Sequence, residues 1–431
     1  IARKEKIEAA AKAWARKKEK EIVYLGENVS AGLNNLQDSD AERLKKNNLT
    51  DIASAEQLAA LMKIEMGQLR FLSYHRAVSR VSHYKKFTIP KKTGGVRTIS
   101  APMPKLKTAQ HWILENILDK ILLHDAAHGF VNKKSIVTNA TPHLKSEVVI
   151  NIDLKDFFPS VHYPRVKGMF RKLGYNEAIS TIFSLICTEA EQDEVEIDGV
   201  KYYVKDGNRK LPQGAPTSPA ITNIICRKMD ARFTGLSKKY GFAYTRYADD
   251  LTFSASGDAL LKLKQFIALV KKVISSERFT LHPDKFKVMR KGARKEVTGI
   301  VVNEKPAIEK KKLKKFRALL FQIEKEGSIA GKKWGNSKNL LAAIKGYSNF
   351  INMVDPVKGK SLIDRANKIL EQHKFAHVIV HKAKPKVEPV VIQKTTSTVS
   401  QSQYVSTTTA ATQQVAPEKT DSKKPWWKFW S

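Results

Sequence analysis

Residues 246–256 read RYADDLTFSAS. FAYT stands before this stretch and LTF lies within it, so apolar and aromatic side chains alternate with polar ones. That alternation predicts two short strands joined by a tight turn. Two adjacent carboxylates, Asp249 and Asp250, stand at the break. One aspartate in a turn is explained by its side chain bonding the local backbone. Two side by side repel each other unless a cation lies between them. They do so in a chain of 431 residues whose 77 Lys and Arg against 42 Asp and Glu leave a formal net charge of +35.

A third acid sharpens the cation reading. Asp153, in VVINIDLKDFFPS, follows another apolar strand. If the two strands lie side by side, Asp153 and Asp249 converge on one point. Three convergent carboxylates suit Mg²⁺, a hard ion that takes oxygen ligands. Two such ions can clamp an in-line phosphoryl displacement. The basic balance points to a polyanionic partner, nucleic acid before an anionic membrane surface. The chemistry expected is therefore on a nucleotide or nucleic acid, and spacing alone leaves nuclease and polymerase both open. Asp156 offers either a fourth acid or a solvated turn residue.

The length suits two or three domains, and 42% hydrophobic residues suffice for a substantial core. The two cysteines, Cys187 and Cys226, lack zinc spacing and make no disulfide framework, which fits a reducing, cytoplasmic setting. No apolar run approaches the ~20 residues of a membrane span. The charged first residues do not read as a secretory signal.

Along the chain, residues 1–22 have helix-forming Ala, Lys and Glu but no wide apolar stripe. Ser54 and Gln57 form a capping-box pattern ahead of Leu58, Leu61, Met62 and Leu69 at helical spacing. YKKFTIPKKTGGVRTISAP predicts a hairpin around Thr-Gly-Gly, and VEIDGVKYYV another around Asp-Gly. LPQGAPTSPAITN starts as a loop and becomes a helix. Leu313, Phe316, Leu320 and Ile323 give one apolar helix face whose start is crowded by Lys311, Lys312, Lys314 and Lys315. Further helices are expected over 338–353 and 360–373. Beyond about residue 380 the chain turns Ser/Thr/Gln-rich, a composition that predicts disorder, and closes on PWWKFWS. That ending suits a docking peptide for a partner, or a membrane interface where Trp is favoured.

The motifs, taken in order, resemble those of reverse transcriptases. YADD with its preceding strand resembles the catalytic motif, and Asp153 with LKDFF the first metal-binding motif of the palm. LPQGAPTSP resembles the loop that contacts template and incoming nucleotide, and IPKKTGGVRTIS the fingers hairpin over the triphosphate. LHPDKFKVM and VTGIVV fall where the last palm motifs belong. The match covers about residues 75–375. Within the family the chain is similar to bacterial retron enzymes: Asn139-Ala140-Thr141-Pro142-His143 resembles their NAxxH signature, and Val297-Thr298-Gly299 their VTG triplet.

The resemblance implies an α+β, right-hand polymerase with an antiparallel palm sheet. The expected parts are a helical N-terminal extension (1–74), fingers and palm (75–304), a helical thumb (305–375) and a disordered tail (376–431). It implies an RNA-directed DNA polymerase with two Mg²⁺ ions on Asp153, Asp249 and Asp250. Phe158 is expected to be a bulky gate against a ribose 2′-hydroxyl, with Phe157 in the core. Lys91 and Arg97 are candidates for the triphosphate, Arg for its forked donor set. Gln213 and Gly214 are expected at the nucleotide, where glycine admits close backbone approach. Lys285, or its rival Lys287, would stand near the leaving pyrophosphate. Asn139, His143, Val297, Thr298 and Gly299 are candidate RNA contacts; a satisfied structural histidine and a strand with a bulge at Gly299 are the alternatives. Because Pro142 disfavours helix for Thr141, a structured turn is expected there. The lysines at 311–315 would follow a duplex backbone. The expected partners are dNTPs, a cognate structured non-coding RNA primed from a guanosine 2′-hydroxyl, its branched cDNA, and an effector protein in anti-phage defence. A group II intron-like or abortive-infection enzyme, or a non-catalytic RNA-binding scaffold, remains the alternative.

Overall fold

A computed structural model describes residues 2–22, 24–30, 33, 38–91 and 94–375. Lys92 and the tail from 376, with its Trp-rich end, lie outside the described residues. Residues up to 375 form one compact unit.

The palm sheet is antiparallel, in the order Lys287–Met289, Val148–Lys155, Asp250–Ala255, Ala243–Tyr247, and Thr280–Leu281 pairs the far end of the central strand. A strand turns alternate side chains to opposite faces. Val148, Ile150, Ile152 and Leu154 enter the main core, as do Leu251, Phe253 and Ala255. Val149 instead joins a second core, and Asn151 and Asp153 follow it on that other face. One period-two pattern thus sends hydrophobes under the sheet and the acid over it.

Two helices cover the lower face. Ser218–Tyr240 buries Ile221, Ile224, Met229 and Phe233 and ends at Gly241, whose φ of 76° suits glycine. Leu263–Ser276 buries Leu263, Phe266, Val270 and Ile274 at helical spacing. Phe253 anchors the contact, stacked on Tyr244 at 4.8 Å and edge-on to Phe266 at 5.4 Å. Each such fully buried ring contributes about 1.5–3 kcal/mol through removal from water.

The helix expected from Ser54 is two helices, Ala55–Met62 and Met66–Ser73, because Lys63 turns left-handed at φ 56°. The Ser54 hydroxyl accepts from the Gln57 amide, but the Gln57 side chain accepts from Ala53 rather than closing the box. Leu58, Met62 and Leu69 are buried in the main core together with Leu25, Leu44 and Ile52, while Leu61 is exposed. Helix Ala2–Lys20 buries nothing among its described side chains.

The second core joins helices Lys310–Glu326, Leu340–Val354 and Pro356–Gln372 through Phe316, Leu320, Ile323, Ile344, Ile351 and Ile369. Helices 340–354 and 356–372 approach so closely that a Cβ on Gly359 would stand 2.2 Å from Asn352 Cα. The hairpin Glu296–Val297/Ile300–Val301 packs into this core as well.

Candidate active site

The strands 243–247 and 250–255 are joined by a two-residue loop, Ala248-Asp249, closed by the pair Tyr247↔Asp250. Of the two loop residues only Ala248 has positive φ, 56°, the pattern of a type II′ turn. Glycine normally fills that position, so a buried alanine there is strained and must be held by its surroundings. The turn brings the acids together. Asp153 pairs directly with Asp250 across the sheet, so both side chains rise on one face. The Leu154 amide donates to the Asp249 carbonyl at 3.0 Å and ties the loop to the central strand.

Their charges collide. Burial and then the Asp153 carboxylate push Asp249 above the usual carboxylate range. Burial, then Asp249 and Asp153, raise Asp250 from 3.8 to about 7, although its side chain opens to solvent. Lys285 and Arg97 work the other way on Asp249, and Lys285 does so on Asp250. The Lys285 ammonium donates to Asp153 Oδ2 at 2.8 Å, whereas Lys287 is exposed on the edge strand with no ion-pair partner among the described residues. Of the two rivals, Lys285 is the one that reaches the acids.

The residues fit a divalent cation by donor chemistry and by a repulsion that Lys285 and Arg97 relieve only in part. Among the described residues no three acidic, His or Cys side chains close around a single ion unaided. Magnesium is commonly held by one or two carboxylates plus substrate phosphates and water, so an open, all-oxygen site of this kind suits it when a nucleotide completes the shell.

The hairpin Tyr84–Pro90 paired with Val96–Pro102 reaches toward the site through Arg97. Arg97 is exposed and its charge is felt at Asp249. Lys91 lies exposed at the tip, where its amide donates to the Gly95 carbonyl. The Ser100 amide donates to the Gln213 carbonyl at 2.8 Å. Gly214 follows at φ 130°, and a Cβ there would stand 2.8 Å from the Ser100 carbonyl oxygen. Hairpin and LPQG loop are thus joined backbone to backbone. Phe158 is half-buried against Phe157, ring centroids 5.4 Å apart, while Phe157 is buried on Phe279. Asp156 sits in the following turn at φ 47°, exposed.

The candidate RNA contacts divide. His143 is fully buried, with Nδ1 2.7 Å from the Ser254 hydroxyl and Nε2 2.8 Å from that of Thr245. The Thr245 hydroxyl donates to the Asn139 carbonyl, so it accepts from His143 Nε2–H, which leaves Nδ1 to accept from Ser254. Burial lowers the ring to about 3 and keeps it neutral. Asn139 is equally buried, and its amide reaches the Thr298 hydroxyl at 3.4 Å. Val297 is buried in the second core. The direct RNA contacts expected of Asn139, His143 and Val297 are therefore corrected, since none exposes an atom to a ligand. Asn139 and His143 brace the hairpin that bears Asp249 and Asp250 on the same face as the acids, farther along its strands at Thr245 and Ser254. The expected break at Thr141 is corrected too: Thr141 is helical (φ −55°, ψ −43°), and helix Ile136–Ala140 runs directly into the 3-10 turn Thr141–His143. Thr298 and Gly299 form a two-residue hairpin loop with φ 46° and 85°, a type I′ pattern rather than a bulge, and Gly299 is exposed. Lys311, Lys314 and Lys315 are exposed without an ion-pair partner among the described residues, while Lys312 pairs with Glu309 at 3.1 Å.

Sequence reading passed over Arg246, in the middle of the decisive stretch. It is fully buried and paired with the equally buried Asp230. A charged residue inside an otherwise apolar strand was the available signal.

Comparison with known proteins gives the same picture. The family model for reverse transcriptase (RNA-dependent DNA polymerase) matches residues 89–322. The retron Mx162 reverse transcriptase of Myxococcus xanthus is 44% identical over 336 residues, 75% of this chain and 68% of that protein. The retron Mx65 reverse transcriptase of the same organism is 36% identical over 76% of this chain and 74% of that protein. The retron Ec86 reverse transcriptase of Escherichia coli is 34% identical over 78% of this chain and 93% of that protein.

Proposed function

The chain belongs to the retron-type reverse transcriptases and is an RNA-directed DNA polymerase, and from that premise we propose that it copies a cognate structured non-coding RNA into branched single-stranded DNA, using Asp153, Asp249 and Asp250 as its metal-binding carboxylates. The observation that carries the site assignment is the register: Asp153 stands opposite Asp250 with Asp249 in the adjoining turn, which gathers three carboxylates at one point of the sheet.

Reverse transcriptases use divalent metal ions, and we take the ions here to be two Mg²⁺. Bound at the triad, they supply Lewis acidity for the attacking 3′-hydroxyl and the leaving pyrophosphate. The protein's own groups do the rest. Arg97 and Lys91 bind the triphosphate as the hairpin lies over it. Gln213 and Gly214 let the backbone approach the nucleotide. Phe158 crowds the 2′ position and selects deoxynucleotides. Lys285 leaves Asp153 when the site is loaded and neutralises charge building on the pyrophosphate. Thr298, Gly299 and the exposed lysines of helix 310–326 hold RNA, the lysines by displacing counterions from its backbone. Synthesis in the cytoplasm, priming from a guanosine 2′-hydroxyl, and service beside an effector protein in anti-phage defence complete the reading and rest on the retron relationship alone.

Purified protein given poly-rA, oligo-dT, dTTP and Mg²⁺ should extend the primer. An Asp249→Asn/Asp250→Asn variant should not, and equal extension by both would refute the site assignment. Sequencing nucleic acid that copurifies from the native host tests the retron part. A covalent RNA–DNA species is expected, and its absence would favour the intron-like or abortive-infection reading.

A further inference from the structure

The turn that carries Asp249 and Asp250 is held from beneath by a buried polar frame. Arg246 lies on the covered face of the sheet, opposite the acids. Its guanidinium donates from Nε to Asp230 Oδ1 at 2.8 Å and from Nη2 to Asp230 Oδ2 at 2.7 Å. Nη1 donates to Asn223 Oδ1 at 2.8 Å and to the Ala248 carbonyl at 3.2 Å. The Ala248 carbonyl belongs to the peptide that leads into Asp249. Asn223 passes the contact on, its amide donating to the Gly129 carbonyl at 2.9 Å. Gly129 in turn lies flat against the turn: a Cβ there would stand 2.5 Å from the Ala248 nitrogen. The loop before it is bonded to Arg246 on both sides, with Arg246 N–H to Ala126 O and His128 N–H to Arg246 O, each 2.7 Å.

This is far more than fold stability asks for. A buried ion pair is weak ground for stability, because desolvation cancels much of the attraction. What the frame does is geometric. It clamps both sides of a peptide whose left-handed alanine would otherwise relax, and that relaxation would rotate Asp249 away from Asp153. Two mutually repelling carboxylates add a constant push in the same direction.

We propose that Arg246, Asp230, Asn223 and Gly129 are positioning residues of the polymerase site: they lock the Ala248-Asp249 turn so that the carboxylates hold the geometry a divalent ion requires. The inference rests on the metal-dependent polymerase reading and adds residues that touch neither metal nor nucleotide. Groups that orient metal ligands typically change metal affinity roughly 10–100-fold when removed.

The test uses the full chain with Mn²⁺ as the probe ion. Gly129→Ala drives a methyl into the Ala248 amide, and Asn223→Ala cuts the link from Arg246 to the 129 loop while sparing the Arg246–Asp230 pair. Mn²⁺ affinity is read by electron paramagnetic resonance in the presence of primer–template, alongside dTTP incorporation, primer–template affinity and the unfolding midpoint. Both variants should bind Mn²⁺ roughly 10–100-fold more weakly. Their kcat should fall while the KM for dTTP and primer–template affinity of the folded protein stay near the parent values; the unfolding midpoint should drop, because each change also crowds or unpairs buried groups, but stay above the assay temperature. Arg246→Lys, which keeps the charge and loses the fork, should behave likewise if it folds; the other two decide if it does not. Unchanged Mn²⁺ affinity in both overturns the proposal, whatever happens to kcat. So does a loss that vanishes once Mn²⁺ affinity is referred to the folded fraction alone. Failure of the parent protein to incorporate dTTP would instead strike at the polymerase reading, leaving the Mn²⁺ comparison to judge the frame by itself.

Discussion

Replacing Asp250 by Asn should abolish synthesis and, without metal, make the protein more stable. The Asp250 carboxyl is raised from 3.8 to about 7 by burial and by Asp249 and Asp153. Between those two values the folded protein keeps a proton that the unfolded chain has released. The folded state binds more protons there, so wild-type stability falls as pH rises from about 4 to about 7. At about 1.36 kcal/mol per pH unit the full effect would be roughly 4 kcal/mol. Asp250 is exposed, however, and water and salt screen most of that repulsion, leaving about 1 kcal/mol. Urea unfolding in EDTA should therefore show wild type and Asp250→Asn alike near pH 4 and the variant about 1 kcal/mol more stable at pH 8. Millimolar Mg²⁺ should stabilise wild type and close the gap, because an ion that binds only the folded state shifts the equilibrium by mass action. A variant that is no more stable than wild type at pH 8 in EDTA, or a gap that does not change with pH, would refute the reasoning.

Three further outcomes follow from the same geometry. Phe158→Ala should admit ribonucleotides, lowering the dTTP-over-UTP preference in kcat/KM roughly tenfold or more. Gly214→Ala places a side chain at φ 130° and against the Ser100 carbonyl, so it should cost about 1–3 kcal/mol of local strain and raise the KM for dTTP as the hairpin is pushed away. His143→Ala strands the buried hydroxyls of Ser254 and Thr245 and leaves a cavity, which should lower stability by about 2–4 kcal/mol in denaturant unfolding. The folded fraction of that variant should bind RNA as wild type does in a filter-binding titration; a selective loss of RNA affinity would restore the direct contact that burial argues against.

Much of the molecule was legible in the chain because it is written in local periods and turns. The hairpins at 84–102, 189–210 and 243–255 follow from alternation and turn residues, and the apolar face of helix 310–326 from its spacing. Apolar spacing predicts one helix over 55–73, because a single left-handed Lys63 leaves no mark on it. The misread residues share one cause. Asn139, His143 and Val297 are polar or motif-bearing, which suggests a ligand, yet each is buried against a segment far along the chain: Asn139 beside Thr298, His143 on Ser254 and Thr245, and Val297 in the second core.

The sequence by itself determined the chemistry available: three acids at strand ends, a glycine-bearing loop, a basic surface and a family order of motifs. Those depend on residue identity and short spacing, which the chain carries directly. Tertiary structure alone decided that Asp153 meets Asp250 in register, that Lys285 rather than Lys287 reaches them, and that Arg246 grips the turn from below. Register, face and burial are set by how distant segments pack, because hydrogen-bond pairing and the exclusion of water act between segments rather than along the chain.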